Sequence, residues 1–158
     1  MKNLEILVVD DLKENRETAK QYFESIGLKV DLAIDYESGK KKMEQKDYYF
    51  AILDLQMPDR YDDDGKMGEY GFELEKIAKK YSIPAVVLTG RIMGNYHGPG
   101  SSILIDGRMQ ESTPIKTEME AWKKTHETIE EIFNSELIQR AKEQYKNTVG
   151  IRYQDRSK

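Results

Sequence analysis

The chain has no cysteine, which excludes structural disulfides, thiolate catalysis and cysteine-ligated zinc or iron–sulfur sites, and permits a reducing, cytoplasmic setting. Histidine is nearly as scarce: His97 and His126 are the only two. Neither has a second histidine at ligand spacing, so no metal role is expected of them. No apolar run approaches the roughly 20 residues of a membrane span. The opening MKNLEILVVDD breaks its apolar stretch with acids and carries no small-residue cleavage site, so it reads as a strand and not a signal peptide. A formal charge of -4 argues against whole-surface attraction to nucleic acid or anionic lipid. Neither is expected as a partner.

The 158 residues suit one domain, which at that size buries roughly 70% of its unfolded surface and needs no staples. The stretch that organises it is YFAILDLQMPD, Tyr49 to Asp59. A short apolar run bounded by turn signals reads as a strand buried on both faces, and its last residue, Asp54, is delivered to the sheet's edge. Alone, an acid in that place is ordinary. A second strand, Leu4 to Val9, runs straight into Asp10 and Asp11, so two parallel strands put three carboxylates at one rim.

Along the chain, apolar runs alternate with helix-period segments, the pattern of an α/β fold with a parallel sheet. Ala19, Tyr22, Phe23 and Ile26 recur at helical spacing before Gly27 and predict a helix with one buried face. Leu28 to Ile34 reads as an edge or half-exposed strand, and Tyr36 to Lys46 as a helix poor in apolar anchors. Residues 57–72 turn polar and glycine-rich around Asp62, Asp63 and Asp64. Ligand spacing rules out a calcium loop there, leaving a solvated insertion or a lid beside the rim. Phe72 to Tyr81 predicts a third helix, with Leu74, Ile77, Ala78 and Tyr81 inward. Ala85 to Leu88 predicts a strand ending in Thr89. Beyond it a glycine-rich stretch unsuited to a helix leads to Ser102 to Gln110, whose branched residues around Asp106 and Gly107 signal a hairpin. Thr113 to Lys116 is expected as a short fifth strand. Met119, Trp122, His126, Ile129, Phe133, Leu137, Ala141 and Tyr145 then form one helical stripe, longer than a single domain needs unless Asn134 and Ser135 divide it.

The ordered set ILVVDD, LDLQMPD, VVLTG and a lysine opening the last helix resembles the response-regulator receiver domain of two-component signalling. The resemblance implies a flavodoxin-like, doubly wound, five-stranded parallel sheet of order 2-1-3-4-5, with its site at the carboxyl rim. Here the fourth helix is expected to be replaced or reduced and the C-terminal helix extended. Residues 1–133 are assigned to the receiver domain and 134–158 to a helical extension with a basic tail. The resemblance also implies a phosphoryl group received on Asp54 from a histidine kinase or a histidine phosphotransfer protein, and output through contact with another protein. Catalysis would be limited to self-phosphorylation and self-dephosphorylation.

Three crowded carboxylates repel unless a cation neutralises them. Mg2+ is the expected one, held by Asp11, Asp54 and the carbonyl of Gln56 while Asp10 orients a metal-bound water. Phosphoryl transfer then depends on positioning and cation clamps, with Lys116 as the second clamp and Thr89 donating its hydroxyl. In isolation Asp10 and Asp11 would serve equally as helix caps and Thr89 as an ordinary strand residue.

The chain departs from the receiver pattern in several places. Thr117 follows Lys116 where proline is usual, and Thr113 stands where an aromatic residue is usual. Gln56 and Arg91 occupy positions that resemble those modulating phosphoryl lifetime. Trp122 and Tyr145 are expected to pack. After Gln139, cations outnumber acids; the tail is either a solvated helix end or a docking segment through which the C-terminal helix would meet a second copy or another chain. No DNA-reading segment is recognised. A phosphate-independent interaction module is the alternative to phosphotransfer. A haloacid-dehalogenase-like phosphatase fails for want of an acid where Gln56 stands.

Overall fold

The computed structural model describes residues 4–90 and 100–144. In chain order the elements are β1 (Glu5–Val9), α1 (Lys13–Ser25), β2 (Lys29–Ala33), α2 (Tyr36–Gln45), β3 (Ala51–Leu53), β4 (Met57–Pro58), β5 (Met67–Gly68), α3 (Tyr70–Lys80), β6 (Ala85–Thr89), β7 (Ser101–Ile105), β8 (Arg108–Thr113) and α4 (Met119–Ile132). A further helix, α5, covers residues 134–144. The apolar runs of β1, β3 and β6 are buried on both sides because helices cover both faces of the sheet. On one face Phe23, Trp122, Ile129 and Leu137 pack on Ile6, Val8, Ile52 and Leu88. On the other, Met43, Leu74 and Ala78 pack on Leu7, Val9, Leu53 and Val87. Phe23 and Trp122 meet edge to face at 6.4 Å, and burying each such side chain stabilises the fold by about 2 kcal/mol.

The sheet has the order β2-β1-β3-β6-β7-β8. Its first four strands are parallel and reproduce the expected 2-1-3-4. The far edge corrects the all-parallel, five-stranded expectation, because β7 lies antiparallel between β6 and β8. The antiparallel pairing of β7 with β8 has a local reason. Asp106 (φ 52) and Gly107 (φ 76) close a two-residue turn in the left-handed region, which permits only antiparallel neighbours and leaves no room for a helical crossover. β8, running again with the parallel set, is the fifth such strand, and it is the hairpin's second arm rather than Thr113 to Lys116. Pro114 has no N–H to continue a ladder, so the strand stops at Thr113. The glycine-rich stretch expected in place of a fourth helix falls at 91–99, with Arg91 and His97, outside the described residues.

Of the two expectations for the C-terminal stripe, one extended helix or two divided at Asn134 and Ser135, the structure shows two. α4 ends at Ile132, and Phe133 (φ -107, ψ 23) turns the chain into α5. Leu137 and Ala141, which the docking-segment alternative has reaching past the sheet toward another chain, are buried in this chain's own core. Arg140 is buried beneath β3 and β6, donating to the carbonyls of Tyr48 (2.8 Å) and Ser82 (2.6 Å) and pairing with Asp47. α5 therefore braces the amino edge of the sheet. Tyr145 lies outside the described residues. Two stripe ends are exposed, Ile26 after α1 and Tyr81 after α3, because each is the residue that caps its helix.

Candidate active site at the carboxyl rim

Asp10 and Asp54 each stand one residue beyond adjacent parallel strands, and the Asp54 N–H donates to the Val9 carbonyl at 2.8 Å, which holds the two acids at one height. Oxygens of Asp10, Asp11 and Asp54 all lie within 4.8 Å of one another. Lys116 places its Nζ 2.9 Å from Asp10 Oδ2 and 2.8 Å from Asp54 Oδ1. It does so although its strand lies at the far edge of the sheet: the loop after β8 folds back over the rim, and Trp122 Nε1 donates to the Lys116 carbonyl at 2.7 Å. A cleft of about 470 Å³ opens here, with Asp11, Asp54, Gln56, Thr89 and Lys116 in its walls. All six expected site residues are thus at this rim, Asp10 behind the lysine and the other five around the cleft.

The two leading acids are held differently. Asp10 is nearly saturated, accepting from the Leu12 N–H at 2.9 Å, from Asn15 Nδ2 at 3.3 Å on each oxygen, and from Lys116. Asp54 accepts from the Leu55 N–H at 2.9 Å and from Lys116, and otherwise faces the cleft. Burial pushes the Asp54 carboxyl up to about 7, against the pull of the Lys116 ammonium and with the help of the Asp10 charge. Burial likewise raises Asp11. For Lys116 burial acts downward, but the charges of Asp10 and Asp54 outweigh it and raise the ammonium above its usual range.

The sequence model of the response regulator receiver domain matches residues 6–98, more than half of the chain. The chain belongs to this receiver-domain family. Similar solved structures include a CheY-like response regulator receiver domain protein from Methanospirillum hungatei, 27% identical over 59% of this chain and 69% of that one, with a TM-score of 0.49. Another is the response regulator protein TrrA from Thermotoga maritima in complex with Mg2+-BeF, 33% identical over 58% of this chain and 71% of that one, TM-score 0.47. A two-component response regulator from Clostridium difficile is 26% identical over 58% and 69%, TM-score 0.47. No curated protein matches the sequence.

Receiver domains use a divalent cation, and the residues of this rim fit one. Three carboxylates face a single buried ammonium, which leaves an excess of negative charge, and every donor is a hard oxygen of the kind Mg2+ prefers. Because Asp10 is engaged by protein donors, Asp11 and Asp54 have the freer oxygens.

Residues 59–69 form a folded flap and not an open loop. β4 and β5 pair, the Tyr61 N–H donates to Asp35 at 2.8 Å, and the Glu37 N–H donates to the Asp59 carbonyl at 2.9 Å. Met67 brings the flap to the cleft wall. Three contributors escaped the sequence: Asn15 on Asp10, Trp122 on Lys116, and Gly71, where a Cβ would meet the Asp54 carbonyl oxygen at 2.2 Å. The first two were visible only as a helix polar residue and a packing aromatic. The glycine, at the start of a helix, was the one readable signal. Among the described residues, no helix is long and apolar enough to cross a membrane.

Proposed function

We propose that this chain is the phosphoacceptor of a two-component phosphorelay, receiving a phosphoryl group on Asp54 from a histidine kinase or a histidine phosphotransfer protein. The observation that carries the reading is Asp54 itself: a part-buried carboxylate, open on one side, flanked by two acids and touched by an ammonium. An Asp54 oxygen attacks phosphorus, the bond from phosphorus to the donor's imidazole nitrogen breaks, and an acyl phosphate forms. Mg2+, held by Asp11, Asp54 and the Gln56 carbonyl, supplies charge neutralisation when bound. Lys116 clamps a phosphoryl oxygen, Thr89 donates to another, and Asp10 keeps Lys116 in place and would orient a water on the cation. The acceptor unit is residues 1–133, with 134–158 an extension. Its setting is the cytoplasm, and its output is contact with another protein.

Incubation of the full chain with Mg2+ and acetyl phosphate tests the reading. The expected product is an acid-stable, alkali-labile phosphoprotein, absent from Asp54→Asn. No adduct, or an adduct that survives that substitution, rejects it.

A further inference from the structure

The antiparallel strand inserted beside β6 brings residues to the rim that an all-parallel sheet would not. β7 starts at the carboxyl rim, with Ser102 paired to Thr89 and Ser101 to Thr113. Both serines are buried, Ser101 to 2% and Ser102 to 0% exposure, and neither hydroxyl finds a hydrogen-bond partner among the described residues. A buried hydroxyl without a partner opposes folding, so two in a row call for a reason. Only Ser101 is in the wall of the cleft, next to Gly100 and with Asp54 and Lys116 in the same walls.

Strand alternation separates the two serines further. Ser101 shares a sheet face with Ile103, the face on which Val8 and Ile52 lead to Asp10 and Asp54. Ser102, directly opposite Thr89, shares the other face with Leu104 and Val87. Thr89 and Ser101 therefore flank the rim from opposite sides of the sheet. Since Ser101 Oγ has no partner among the described residues, turning it toward the cleft breaks no hydrogen bond with them. A phosphoryl group on Asp54 presents three strong acceptor oxygens, with more lone pairs than Mg2+, Lys116 and Thr89 take up.

We propose that Ser101 is a second hydroxyl ligand of the phosphoryl group, supplied by the inserted strand. This rests on the phosphoacceptor reading above. A hydrogen bond to a charged group corresponds to roughly a tenfold change in affinity or more. The test titrates the full chain with beryllofluoride at saturating Mg2+, followed by the fluorescence of Trp122, the single tryptophan, which is bonded to the Lys116 carbonyl. Ser101→Ala is expected to bind about tenfold more weakly, with Mg2+ affinity and the ligand-free melting temperature not lowered, because the hydroxyl has no partner to lose among the described residues. Ser102→Ala is expected to bind as wild type. Equal binding by Ser101→Ala and wild type overturns the proposal. So does an equal loss in both serine variants, or a lowered melting temperature of ligand-free Ser101→Ala, which would mark the hydroxyl as structural. Failure of the wild type to bind beryllofluoride overturns this proposal together with the phosphoacceptor reading, whereas the other outcomes leave that reading standing.

Discussion

Two buried cations hold opposite edges of the same sheet, and they are held in different ways. At the amino edge Arg140 is met by two backbone carbonyls and one half-exposed carboxylate. Neutral acceptors take most of its donors, and the arrangement is balanced without any ligand. At the carboxyl edge Lys116 is met by one buried and one part-buried carboxylate, with a third beside them. That edge carries excess negative charge and one acid pushed up to about 7. The fold thus keeps a settled end and an unsettled one, and a site that must take up a cation and an anion in turn belongs at the unsettled end.

The largest expected effect separates the two ends by their response to magnesium. Removing one member of a buried charged contact costs about 3 kcal/mol, so Lys116→Met and Arg140→Met are both expected to lose about that much stability in chelator. Urea melts with Mg2+ added should restore much of the loss in Lys116→Met, where Asp10 and Asp54 are left uncompensated, and none in Arg140→Met, where carbonyls are left. Equal responses in the two variants would mean that the carboxyl rim is not short of positive charge.

Next in size is a steric test of what positions the acids. α3 begins against the Asp54 backbone, with the Gly71 N–H donating to the Leu55 carbonyl at 3.0 Å and a Cβ at Gly71 meeting the Asp54 carbonyl oxygen at 2.2 Å. Gly71→Ala must push helix and strand end apart, an overpacking cost of about 2 kcal/mol. It should also weaken Mg2+ binding, measured by calorimetry, although residue 71 touches no ligand. A glycine-to-alanine change at Gly90, with none of the described residues within 4 Å of its Cβ, is the comparison and should leave the fold in place.

Most of the acidic rim was legible because strand-ending acids follow from local pattern: ILVVDD and AILD each announce a buried strand and the residue it delivers. Lys116 was legible as a residue but not as a geometry, since its approach depends on a loop folding back across the two intervening strands, β7 and β6, and on Trp122 holding that loop. The hairpin at Asp106 and Gly107 was readable from turn chemistry. The placement of its first arm, β7, between β6 and β8 was not, because strand order is set by long-range packing and not by the residues of the turn. Arg140 was read as part of a basic tail, and only the path of α5 under the sheet shows that its charge is buried.

The smallest expected effect probes the imbalance directly through pH. Asp54 has a folded value near 7 in the ion-free protein against 3.8 ordinarily. Between those values the folded state binds more protons than the unfolded state, so stability in chelator should fall as pH rises from about 4 to about 7 and then level off. Asp54→Asn removes the Asp54 part of that slope, leaving that of Asp11, and should be more stable than wild type at pH 8 by about 1 kcal/mol, a conservative fraction of what a carboxyl displaced this far can cost the fold. Mg2+ favours the ionised carboxylate, so its addition should flatten the wild-type profile while leaving Asp54→Asn nearly unchanged. The amino edge offers no such dependence, since Arg140 stays charged throughout this range. A wild-type profile that rises with pH over the same interval in chelator would show that Lys116 already neutralises the rim, and the contrast between the two ends would disappear.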